Sequence, residues 1–184
     1  MARVGRCRVT SALRTAWDLA RRLDVVEAVV AVDALARRGG FAPADLLVRR
    51  AEEPGARGCR RLDGVTALAD ARAESPMETR LRLLLVLAGL PLPMVQYRLL
   101  DEHGFDVARF DLAYPDALLA IEYDGDGHRT RALSNDDRWR DTTTGDHGWH
   151  TMRFGYDDIA LSRPRTVELV RNMLDRRLRL FRGA

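Results

Sequence analysis

Apolar residues recur every three or four positions through residues 10–73, and the period shortens toward two after residue 95. In VTSALRTAWDLARRLD, Leu13, Ala16, Trp17 and Ala20 share a helical face behind a Thr10/Ser11 cap. VVEAVVAVDALARRGG repeats the pattern and stops at Gly39-Gly40. Phe41-Ala42-Pro43 opens a short third helix, and residues 62–73 suit a fourth. SPMETRLRLLLVLAGLP is the next, with Ser75 as N-cap, Pro76 at the first helical position, and Gly89 and Pro91 as terminators. VQYRLL and FDVARFDLAY, joined by DEHG, predict a β-hairpin in which Phe105, Val107 and Arg109 alternate with Asp106, Ala108 and Phe110. Pro115-Asp116 turns the chain into ALLAIEYDG, a third strand whose continuous apolar start predicts a central, buried position. Residues 134–144 are a weak helix candidate, HTMRF is a short strand, and residues 165–181 form a closing amphipathic helix. The expected class is α/β over residues 74–184, ordered helix, three strands, helix, strand, helix, behind a helical module over residues 1–73.

Composition changes this picture little. The 184 residues, 46% hydrophobic and 31% charged, are ordinary for a soluble globular chain. The longest apolar stretch, residues 83–95, is broken by Gly89, Pro91 and Pro93, and no signal-peptide core opens the chain, so a cytoplasmic protein off the membrane is expected. Cys7 and Cys59 lack metal-ligand spacing and read as free thiols.

Charge distribution says more than the net +3. Residues 101–126 hold eight acids against Arg109, whereas residues 163–184 hold seven arginines against Glu168 and Asp175. An acidic pocket beside a basic surface suits a polyanion attacked near a metal, although a solvated helix face accounts for the arginines as well. No lysine occurs anywhere, which removes any titrating amine of that kind from the chemistry.

The candidate chemistry lies in AIEYDGDGHRTR. Residues two apart on a strand share a face, so Glu122 and Asp124 point together. Asp111, at the end of the preceding strand, is brought alongside by the Tyr114-Pro115-Asp116 turn. Carboxylates that close repel unless a cation intervenes, and a hard divalent ion such as Mg²⁺ prefers such oxygens. Asp116 and Asp126 suit solvated turns instead. Glu78 also completes a capping box with Ser75, so a helix-cap role and a site role both stand open for it. Trp139 suits either base stacking or the core, Asp141 suits a surface helix, and His103, His147 and His150 read as structural or solvated.

SPMETRLRLLL, ARFDLAYP, LAIEYDGDGH, DDRWRD and WHTMRFGYDDI, in this order and spacing, resemble the bacterial domains related to very-short-patch-repair (Vsr) endonucleases, within the PD-(D/E)xK nuclease superfamily. The resemblance covers about residues 74–174 and implies a restriction-endonuclease-like core that hydrolyses DNA phosphodiester bonds with Mg²⁺ or Mn²⁺, in DNA repair or phage defence. It puts Asp111 at the first aspartate, Glu122 at the second acid and Glu78 at the acid of the first helix. The superfamily's lysine position falls at Asp124; an aspartate followed by glycine and a nearby histidine is usual in the branch it resembles, and this implies His128 as the proton-transfer or water-orienting group. Arg138 and Arg140, with Arg171, Arg176 and Arg177 of the last helix, are then expected to hold the DNA backbone. Upstream, VTSALRTAWDLARRL…VVEAVVAVDAL resembles the C-terminal part of abortive-infection type IV antitoxin-like proteins, whose usual winged-helix module is not visible, so the chain reads as a short version. The rival expectation is a DNA-binding or regulatory, antitoxin-like protein that kept the fold without turnover. Oligomeric state is open, a homodimer being one arrangement.

Overall fold

The structure, a computed structural model, describes residues 2–125 and 142–182. The chain divides into two compact units, Met1–Arg80 and Leu81–Ala184, with the divide inside one helix.

The first unit opens on a strand pair, β1 (Ala2–Val4) and β2 (Cys7–Val9), turned by Gly5 at φ +59°. This corrects the all-helical expectation for residues 1–73: three-residue strands are too short to show alternation, and only Gly5 marked the turn. Helix α1 (Ala12–Ala20) starts as expected, with Ser11 Oγ accepting from Arg14 N. Helix α2 (Val25–Gly39) is capped by the Asp24 carboxylate, which accepts from Val26 and Glu27 amides, and ends at Gly40 with φ +63°. Helices α3 (Asp45–Glu52) and α4 (Leu62–Leu68) follow. Gly58 lies between them at φ +86°, where a Cβ would stand 2.5 Å from the Arg21 carbonyl oxygen, so only glycine fits.

Trp17, Ala20, Val29, Leu46 and Leu62 are fully buried in this unit. The guanidinium groups of Arg21 and Arg49 lie over the Trp17 ring, 5.0 and 5.7 Å from its centre. Helix α4 stops five residues short of expectation, because the chain turns extended at Ala69 and the Asp70 amide donates to buried Asp33 Oδ1 at 2.7 Å. The other Asp33 oxygen accepts from the Thr79 hydroxyl at 2.9 Å.

Helix α5 (Pro76–Leu87) crosses the divide. Beyond it, in the second unit, lies a four-stranded sheet ordered β3 (Met94–Leu100), β4 (Asp106–Tyr114), β5 (Leu119–Tyr123) and β6 (His150–Phe154). The first three strands are antiparallel neighbours, and β6 runs parallel to β5. The α/β class and the predicted hairpin hold. The central position expected of the third strand holds too, with Leu119, Ala120 and Ile121 fully buried between two neighbours.

Two turns set the register. The Asp101 carboxylate accepts from the His103 and Phe105 amides, closing the β3–β4 hairpin around Gly104. A 3₁₀ turn over Pro115–Ala117, followed by Leu118 at φ +44°, returns the chain into β5. The buried Tyr114 hydroxyl donates to the Pro91 carbonyl at 3.0 Å, and Trp149 stacks on Phe110 and Tyr97 at ring separations of 4.8 and 5.3 Å. Residues 142–146 are helical. A short helix, α6 (Tyr156–Ala160), not expected from the sequence, has Asp158 accepting from the Gly155 amide at its start. It leads into α7 (Arg163–Arg182), which buries Thr166, Val170 and Leu174. No helix among the described residues is long and apolar enough to cross a membrane.

Candidate functional site

The β4–β5 ladder pairs Tyr114 with Leu119, Ala113 with Ala120 and Leu112 with Ile121, and then stops. One step further along the same register stand Asp111 and Glu122. Asp111 is not the strand end expected from the sequence, since β4 continues through Tyr114. Its side chain replaces the missing ladder bond: Asp111 Oδ2 accepts from the Tyr123 amide at 2.9 Å, which fixes the carboxylate beside the backbone of Glu122 and Tyr123. The β3–β4 ladder also skips this level, pairing Val95 with Leu112 and Tyr97 with Phe110 while omitting Gln96 and Asp111. Gln96 there has φ +53°, a left-handed conformation that costs a non-glycine residue about 1–3 kcal/mol. Regular pairing thus gives way on both sides of Asp111. Nothing in the sequence signals this, because Gln96 sits in an unremarkable run of strand formers.

Glu122 is buried at 7% exposure. Its neighbour in the parallel register is Arg153 on β6, whose Nε donates to Glu122 Oε2 at 3.2 Å. The sequence does not single out Arg153, although it lies in the segment WHTMRFGYDDI, because the pairing depends on a parallel register between residues 31 apart in the chain. Asp124 lies just past β5, exposed, with its amide donating to the Phe154 carbonyl at 3.0 Å.

Glu78 belongs to the first unit, where its carboxylate accepts from the Glu74 amide at 2.8 Å while its own amide donates to Ser75 Oγ at 3.1 Å. The capping alternative is therefore realised, with the glutamate reaching one residue beyond the N-cap. His128, Arg138 and Arg140, together with Asp126, Trp139 and Asp141, lie outside the described residues.

The charge runs separate once folded. Asp101 is consumed by its turn, Asp106 pairs with Arg98 across the hairpin at 2.7 Å, and Asp116 sits in the 3₁₀ turn, so the acidic run does not form one pocket. On α7, Arg171 donates to the Ala88 carbonyl at 2.8 Å. Arg177 donates to the carbonyls of Ala117 and Gly148 and stacks over Phe181, so both arginines tie the helix to its own unit. Arg176 is exposed. Burial, then the nearby Arg177 charge, lowers the pKa of His150 below its usual 6.5.

Among the described residues, no group of three or more His, Cys, Asp or Glu side chains is placed to hold a metal ion. Asp111 and Glu122 nonetheless offer oxygen donors at facing positions of neighbouring strands, one step past the last β4–β5 pair. One or two carboxylates, with water and substrate phosphate, make up the usual Mg²⁺ donor set, so their chemistry fits a hard divalent ion.

No family model matches the chain, and no solved structure matches it. Two proteins of Mycobacterium tuberculosis, uncharacterized protein MT2308 and uncharacterized protein Rv2248, are each 34% identical to it over 163 residues. The match takes in 88% of this chain, which spans 60% of the length of each relative.

Proposed function

We propose that the second unit is a metal-dependent DNA endonuclease domain of the Vsr-like kind, with a restriction-endonuclease-like core. The observation that carries this reading is the Asp111 carboxylate anchored on the Tyr123 amide, beside Glu122, at the level where the sheet's regular pairing is interrupted. Backbone irregularity of this sort concentrates at functional sites. The element order adds support, since a helix, a three-stranded meander, a further strand and a closing helix follow one another as the resemblance implies.

In this reading Asp111 and Glu122 hold Mg²⁺ or Mn²⁺, with exposed Asp124 assisting at the strand end. The bound ion supplies Lewis-acid polarisation of the scissile phosphate and a lowered pKa for water. Burial of Glu122 keeps its carboxylate in one place, and the Tyr123 amide does the same for Asp111. His128 takes the proton of the attacking water, and Arg138, Arg140 and Arg176 contact backbone phosphates without reading sequence. Glu78 is given no chemical step, because its carboxylate serves the α5 cap. The Glu122–Arg153 ion pair favours the second reading, a DNA-binding protein without turnover, in which arginine has taken the place of the metal.

Calorimetric titration separates the two. The metal reading predicts that Mn²⁺ binds the full chain and that Asp111→Asn and Glu122→Gln each weaken it by at least about tenfold. Equal binding by wild type and both variants would leave the nuclease reading without its site.

A further inference from the structure

The cation that faces Glu122 has no part in the scheme above, and its placement gives it one. Arg153 is the register neighbour of Glu122 and bonds it through Nε at 3.2 Å. The glutamate side chain is only 10% exposed, whereas that of Arg153 is 32% exposed, so the anion is held inside and the cation extends toward solvent. A carboxylate buried without a countercharge is strongly destabilising, and here a second carboxylate, Asp111, belongs to the facing residue of the neighbouring strand in the continued register. A divalent ion and this guanidinium would draw on the same carboxylate. Ion capture therefore weakens the hold of Glu122 on Arg153, and a guanidinium is a planar, permanently charged fork that matches phosphate oxygens.

Resting on the metal reading above, we propose that Arg153 is the positioning residue of this site. It orients Glu122 before the ion binds, and it passes to a DNA phosphate once the ion has taken Glu122. Two consequences follow from linkage: Arg153 opposes ion binding when DNA is absent, and ion and DNA then favour each other's binding by the same factor. A guanidinium that only stiffened the sheet would produce neither.

The test uses the full chain with Arg153→Gln and Arg153→Lys, Mn²⁺ alone as the ion probe, and a short DNA duplex in Ca²⁺ as the anion probe. Arg153→Gln is expected to bind Mn²⁺ severalfold more tightly than wild type. It should also bind the duplex severalfold more weakly, with a log–log salt slope reduced by about one, as for the loss of one phosphate contact. Arg153→Lys keeps the charge, so its salt slope and Mn²⁺ affinity should stay near wild type, and it serves if the glutamine variant does not fold. Unchanged duplex affinity and salt slope in Arg153→Gln, with Mn²⁺ binding unchanged or weakened, would overturn the role of Arg153 alone. Mn²⁺ binding that is absent from wild type, or retained in full by Glu122→Gln, would overturn the metal reading and Arg153's role with it.

Discussion

At the scale of single residues, several carboxylates are fixed by specific hydrogen-bond donors. The Asp24 and Asp101 carboxylates each take two backbone amides, and Asp33 takes an amide and a hydroxyl. Burial and then the Arg177 charge depress the pKa of His150 below its ordinary value. As pH falls through 6.5, the unfolded chain takes up this proton before the folded one does. The stabilising contribution of neutral His150 is complete above that value and drains away below it, toward the folded-state pKa. Urea unfolding between pH 8 and pH 5 should show wild type losing stability as pH drops, while His150→Gln shows a flatter profile; parallel profiles would contradict this. Among the residues of the candidate site, Glu122, Asp111 and Asp124 stand out in the sequence because carboxylates at strand spacing are conspicuous. Arg153 does not, since its neighbour is fixed by a parallel register, and register is a property of the assembled sheet.

At the scale of elements, what was legible followed the physics of each signal. Ser11, Gly40 and Ser75 mark helix ends through their own side-chain or backbone chemistry, and the helices obey them. The period-two run of β4 and the continuous apolar start of β5 both became strands. The misses have particular causes. Strands β1 and β2 are too short for periodicity, α6 has five residues, and α4 ends early because Asp33, far away in sequence, captures the Asp70 amide. That buried carboxylate joins α2 to the segment before α5 and to α5's first turn, all within the first unit. Asp33→Ala should lower unfolding free energy by about 2–4 kcal/mol, because it leaves an amide and a hydroxyl without their acceptor. A change under about 0.5 kcal/mol, the ordinary range for a surface substitution, would show that the acceptor is dispensable.

At the scale of the whole molecule, two units of different construction share one chain. The first is helical apart from its opening strand pair, and among its described residues no group of three or more His, Cys, Asp or Glu is placed to hold a metal ion. The second places Asp111, Glu122 and Arg153 on three successive strands of one mixed sheet. Similarity to two mycobacterial proteins across 88% of the chain takes in most of both units. The claim that matters most is that Asp111 and Glu122 carry phosphodiester hydrolysis. The most direct measurement is cleavage of supercoiled plasmid and single-stranded DNA by the full chain in Mg²⁺ or Mn²⁺, beside Asp111→Asn and Glu122→Gln. The account predicts metal-dependent nicking by wild type that falls by at least about a hundredfold in each variant, the scale expected when a group stabilising transition-state charge is removed. Cleavage at equal rates by all three proteins, or DNA binding without any metal-dependent cutting, would contradict it.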